Sequence, residues 1–83
     1  MKKQVIQNIK KLPKSRYGDY QPYETILTII AKTMGYETRL MIGGKYTIVN
    51  HEEFEKSRNI LNDMVEDGTL KKSKSGSMLK LKA

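Results

Sequence analysis

The sequence predicts an α+β domain of three helices and two β-hairpins, folded as one unit over residues 1–83. Three observations carry this. Apolar residues recur at helical spacing in residues 2–12, 22–34 and 50–67. Between the last two of these stretches, and again after the third, the apolar period shortens towards two, as in strands. Glycine and proline fall where one pattern gives way to the next.

The first helix presents Val5, Ile6, Ile9 and Leu12 on one side, with lysines around them, and Pro13 stops it. Residues 13–21 are rich in turn formers and read as a loop. The second helix starts at Pro22, since proline suits a first helical position. Tyr23, Ile26, Leu27, Ile30 and Met34 form its inward stripe, and Gly35 supplies a left-handed cap. Residues 36–42 and 45–49 read as strands joined by a two-residue turn at Gly43 and Gly44; a short helix within this segment is the alternative. Asn50 and Glu53 have the form of a capping box, and Glu52 and Glu53 suit the positive end of a helix dipole. Phe54, Leu61, Met64 and Val65 face inward, Ile60 lies at the edge, and Gly68 closes the helix. Residues 69–72 and 78–82 are short strands joined by the Lys/Ser/Gly loop 73–77. No internal repeat or linker divides the chain.

The net charge of +7 is unevenly placed. Residues 1–16 carry Lys2, Lys3, Lys10, Lys11, Lys14 and Arg16 without one acid. Residues 69–83 carry Lys71, Lys72, Lys74, Lys80 and Lys82, again without an acid. All nine acids fall between, against five basic groups. Two basic ends around an acidic middle make a directional field that points to a polyanionic partner.

Several classes are disfavoured. With no cysteine, disulfides and thiolate metal sites are excluded. No metal or cofactor is expected. The single histidine, His51, stands at a helix start, and Glu52, Glu53 and Glu55 read as surface and dipole charge rather than an acid–base pair. Gly43, Gly44 and Lys45 lack the glycine pattern and the following helix of a phosphate-binding loop. An enzyme is not expected. No stretch has the length of a membrane span or the form of a signal peptide, so a cytoplasmic location is the expectation. The basic helix 2–12 could lie on anionic lipid, but its four apolar residues are more simply explained by packing on the domain.

A helix ending at residues 64–68, a strand, a basic Gly/Ser loop and a second strand with alternating apolar residues resemble the winged-helix DNA-binding family. The resemblance covers residues 50–82, with the helix at 22–34 in place for a core helix. It implies that the hairpin at 69–82 is a wing touching nucleic-acid backbone and that the preceding helix lies in the major groove. Two departures bear on mechanism. A strand hairpin occupies the place of the helix that usually precedes the recognition helix. The would-be recognition helix also presents Glu52, Glu55, Asp63 and Glu66, with Lys56, Asn59 and Asn62, on its outer face. Carboxylates there oppose phosphates. That helix is therefore expected to be scaffold.

The expected DNA contacts are Lys71, Lys72, Lys74 and Lys80 on the wing, and Lys10, Lys11, Lys14 and Arg16 on an N-terminal arm. Ser73, Ser75, Gly76 and Ser77 would let the backbone approach a phosphate. Lysine supplies point charge without a base-reading fork, which favours affinity over sequence specificity. Tyr17, Tyr20 and Tyr23 beside Arg16 suggest a stacking platform for single strands; the alternative places Tyr23, and with it Tyr20, at the core edge with hydroxyls reaching water. The resulting expectation is a non-enzymatic DNA-binding protein, acting on single or double strands in replication, transfer or regulation of a phage or mobile element. The alternative is a protein-interaction module docking through the acidic face of helix 51–67. A homodimer contact through helix 2–12 is a further possibility.

Overall fold

The computed structural model describes residues 2–44 and 46–82, and Lys45, part of the expected second strand, lies outside them. The elements in order are α1 (Lys2–Lys10), β1 (Gln21–Pro22), α2 (Tyr23–Thr33), β2 (Thr38–Leu40), β3 (Tyr46–Ile48), α3 (His51–Glu66), β4 (Leu70–Lys72) and β5 (Met78–Leu81). The result is an α+β domain with a three-stranded antiparallel sheet in the order β1-β5-β4 and a separate β2-β3 pair.

Helix α2 is the central element. Its Ile26, Leu27, Ile30 and Ala31 are buried, with α1 and α3 against it. Val5 and Ile9 of α1, Leu61 and Met64 of α3, Leu70 of β4 and Leu79 of β5 complete one core. Tyr23, Met34, Phe54, Ile60, Val65, Ile6 and Leu12 are partly buried around it. The apolar side of α1 is thus used within the chain. Ala31 and Ser57 are buried positions that apolar patterning did not mark. Ser57 is tolerated because its hydroxyl donates to the Glu53 carbonyl at 2.9 Å.

Four features differ from expectation. Helix α1 ends at Lys10 rather than Leu12. The Leu12 amide bonds the Ile9 carbonyl three residues back at 3.1 Å, a tighter closing turn that folds Leu12 onto the core. Pro22 is not the first helical residue but the residue before it, extended at φ −56, ψ 145. It lies in β1, an element too short to leave a periodic signal. In the β1–β5 ladder, Gln21 faces Leu79 and Pro22 faces Met78. The Tyr23 amide donates to the Ser77 carbonyl at 2.9 Å. Hydrogen-bonded pairs alternate along an antiparallel ladder, so the proline nitrogen falls at a position that faces away from β5.

The third difference is the β2–β3 hairpin. The hairpin forms, with Leu40 opposite Tyr46, so Met41 and Ile42 belong to the connection, which is longer than a two-residue turn. Gly43 and Gly44 both have positive φ, and the Gly44 amide donates to the Met41 carbonyl at 3.1 Å. At the other end, the Tyr36 amide donates to the Ala31 carbonyl and that of Gly35 to Lys32, the paired bonds of a glycine helix cap. Tyr36 is committed to ending α2 and does not join the strand.

The fourth difference is at the start of α3. The Asn50 side chain accepts from the amides of Glu52 at 2.9 Å and Glu53 at 3.2 Å, so Asn50 caps the helix alone without the reciprocal half of a capping box. Asn50→Ala is expected to cost about 1 kcal/mol, read as a lower urea midpoint at unchanged slope.

Candidate functional site

The outer face of the three-stranded sheet gathers the charge. In the β4–β5 ladder Leu70 faces Leu81, Lys71 faces Lys80 and Lys72 faces Leu79. Leu70 and Leu79 are buried in the core. Side chains alternate along a strand, so Lys71 and Lys80 share the face turned away from the core. Bonds at Ser73–Met78 and Lys82–Thr69, each 3.0 Å, make Lys71 and Lys80 a hydrogen-bonded pair directly opposite each other. Like charges in that position are destabilising.

Tyr20 extends this row. It immediately precedes β1, and the Lys80 ammonium stands over its ring at 5.1 Å. A cation over an aromatic face is held by the ring quadrupole. The row across the sheet therefore reads Tyr20, Lys80, Lys71. Lys82 follows Lys80 by two residues and shares its face, next to Thr69. Its period-two spacing after Lys80 was the available signal, though Lys82 was not among the expected contacts. The three strands contain no acid.

The remaining expected contacts are distributed less tightly. Lys10 and Lys14 line a groove of about 610 Å³ together with Lys82, Asp19 and Asp67. The N-terminal basic segment thus meets the open end of the β4–β5 hairpin. It is carried by a packed helix, since Val5 is fully buried and Ile9 nearly so. Lys2 is paired with Asp67, joining the start of α1 to the end of α3. Lys11 and Arg16 are exposed. So are Lys72 and Lys74, the latter in the loop between β4 and β5.

The three tyrosines near Arg16 have different environments. Tyr23 packs against the core, and Tyr20 is half-buried with Lys80 over it. Tyr17 is 63% exposed on a tight turn in which Ser15 and Gly18 exchange backbone bonds of 3.0 and 3.1 Å. The three rings thus occupy a core-edge position, a cation-covered position and an open one, rather than a single platform.

The β4–β5 loop is also more closed than expected. Ser73 and Ser75 hydroxyls lie 3.2 Å apart, and Ser75 and Ser77 2.7 Å apart. The Gly76 amide donates to the Ser73 carbonyl at 2.9 Å. These groups hold the turn in shape, leaving Lys74 as its exposed charge.

The outer side of α3 is acidic, as its sequence implied. Glu52, Asp63 and Glu66 are exposed, with Asn59 and Asn62 beside them. Glu55 is half-exposed and lies 3.9 Å from Arg58, a solvent-screened pair that contributes little. Among the described residues, no group of three His, Asp or Glu side chains is placed to hold a metal ion. No described helix is long and apolar enough to cross a membrane. Comparison with models of protein families, with characterised proteins and with solved structures gave no match.

Proposed function

We propose that this domain is a non-enzymatic nucleic-acid-binding module that holds DNA backbone against the outer face of β1-β5-β4. Lys71, Lys80 and Lys82 supply the charge there, with Lys74 at the wing tip. Lys10 and Lys14 extend the basic surface from the groove side. The observation that carries the reading is the Lys71–Lys80 pair. Two lysines directly opposite on neighbouring strands cost the free protein stability, and a phosphate bound between their side chains offsets that cost.

The order of elements supports a winged-helix reading. Apart from the inserted β2–β3 hairpin, the chain runs helix, strand, helix, helix, hairpin, and the first strand adds to the second strand of the last hairpin. The β2–β3 hairpin stands where that family has a tight turn between its two central helices. The acidic face of α3 disfavours insertion of that helix into a major groove, so the wing and the N-terminal segment are the contact surface and α3 is scaffold. Backbone contact through lysine favours affinity over sequence reading.

Fluorescence anisotropy with single- and double-stranded oligonucleotides of unrelated sequence, over a salt series, tests this. Binding that falls linearly with log salt concentration supports it, and the preferred strand state identifies the substrate. No binding to either at low salt overturns it and makes the acidic α3 face, with a protein partner, the favoured reading. The two faces are separable. Reversing Glu55 and Asp63 to lysine is expected to leave DNA affinity unchanged or raise it. Loss of binding in that variant would place the contact surface on α3.

A further inference from the structure

A second interaction surface lies on the β2–β3 hairpin, and its case is independent of DNA binding. Leu40 is 58% exposed, Met41 and Tyr46 nearly half, and Ile42 wholly so. Clustered apolar exposure of this kind on a small domain marks an interaction site. The hairpin is also a two-stranded sheet of its own, so among the described residues β2 has one edge without a neighbouring strand.

The ladder fixes which groups that edge offers. The Val49 amide donates to the Glu37 carbonyl at 3.3 Å, so Glu37 and Val49 form a hydrogen-bonded pair. In the observed register, alternation makes Arg39 and Thr47 the next such pair. The backbone groups of Thr38 and Leu40 therefore point outward, free to bond another strand.

We propose that β2 pairs antiparallel with β2 of a second copy of this chain, about a two-fold axis through Thr38. Charge favours this register over its immediate neighbours. An axis at Thr38 sets Glu37 opposite Arg39 of the second copy, twice over, with each Leu40 at the margin of the new ladder. An axis one residue either way sets Arg39 against Arg39 or Glu37 against Glu37, and like charges directly opposite are destabilising. Glu37 and Arg39 are both exposed and available for cross-strand pairs. The pairing makes a four-stranded sheet, closes both free β2 edges and covers part of the apolar cluster. Helix α1 offers no comparable surface, because Val5 and Ile9 are buried in the chain's own core.

Cysteine chemistry and charge reversal test the axis together. The chain has no cysteine, so single-cysteine variants report cleanly. Thr38→Cys sets two sulfurs across the axis, at about the 5.5 Å Cα separation of a hydrogen-bonded pair, which a disulfide can span. Mild oxidation is expected to yield a covalent dimer from Thr38→Cys and little from Thr47→Cys, placed on the other strand. In sedimentation equilibrium, Glu37→Arg and Arg39→Glu are each expected to weaken self-association by roughly tenfold, and the double variant to restore it. Both positions are exposed, and circular dichroism verifies that each variant folds. A wild-type chain that stays monomeric at its highest soluble concentration overturns the proposal. So does a dimer insensitive to both reversals, or one that cross-links no better at position 38 than at 47.

Discussion

Lys71→Glu is expected to weaken DNA binding by roughly tenfold at low salt while making the free domain slightly more stable. These opposite signs come from one geometry. Lys71 stands directly opposite Lys80. A glutamate there turns a repulsive cross-strand pair into an attractive one, a gain of about 0.5–1 kcal/mol. For a domain of this size that raises Tm by roughly 2–8 °C. The same change places a carboxylate among the lysines that would meet phosphate. The double variant Lys71→Glu, Lys80→Glu is expected to lower the slope of log affinity against log salt by about two, one for each lost contact. Anisotropy and thermal denaturation on the same samples read both effects. A variant that loses affinity and stability together would mean that the lysine pair is structural. Unchanged affinity would remove the outer face from the interface.

Leu61→Ala is expected to cost about 2–5 kcal/mol, the largest stability effect of any single substitution proposed for this chain. Leu61 is fully buried on α3, in the cluster that includes Ile26 and Ile30 of α2. Removing its branched end leaves a cavity that packed neighbours fill only in part. A domain of this length has on the order of 4–12 kcal/mol in total, so the variant stands near the edge of folding at physiological temperature. Urea denaturation followed by circular dichroism measures it. A loss under about 1 kcal/mol would mean that α2 and α3 pack far less tightly than their burial indicates.

The helices were legible because their signals are local. Ile26, Leu27 and Ile30 recur on one side of α2, and Leu61 and Met64 do so on α3, and each set is buried. Gly35 and Gly68 follow the ends of these helices with positive φ, a conformation that costs glycine little. The hairpins were legible from their period-two strands and glycine turns. Strand β1 was not, because two residues hold no period and Pro22 points towards a helix start when read alone. Only its pairing with Met78 shows it to be a strand residue. The β2–β3 connection was read too short because apolar Met41 and Ile42 look like strand residues. The turn takes them instead, and they remain exposed.

The basic residues of the candidate site were all visible as charge, but their grouping was not. The sequence by itself determined the α+β class, the three amphipathic helices, the basic ends and the acidic outer side of α3. Those properties rest on composition and on periods of two and 3.6, which any contiguous stretch displays. Tertiary structure alone decided that Lys80 stands over Tyr20, 60 positions away in the chain, and that Lys71 faces Lys80. It alone separated the three tyrosines and left the edge of β2 open. Partners across a ladder are set by register and strand order, and these follow from how the core closes over α2, through contacts between residues distant in sequence.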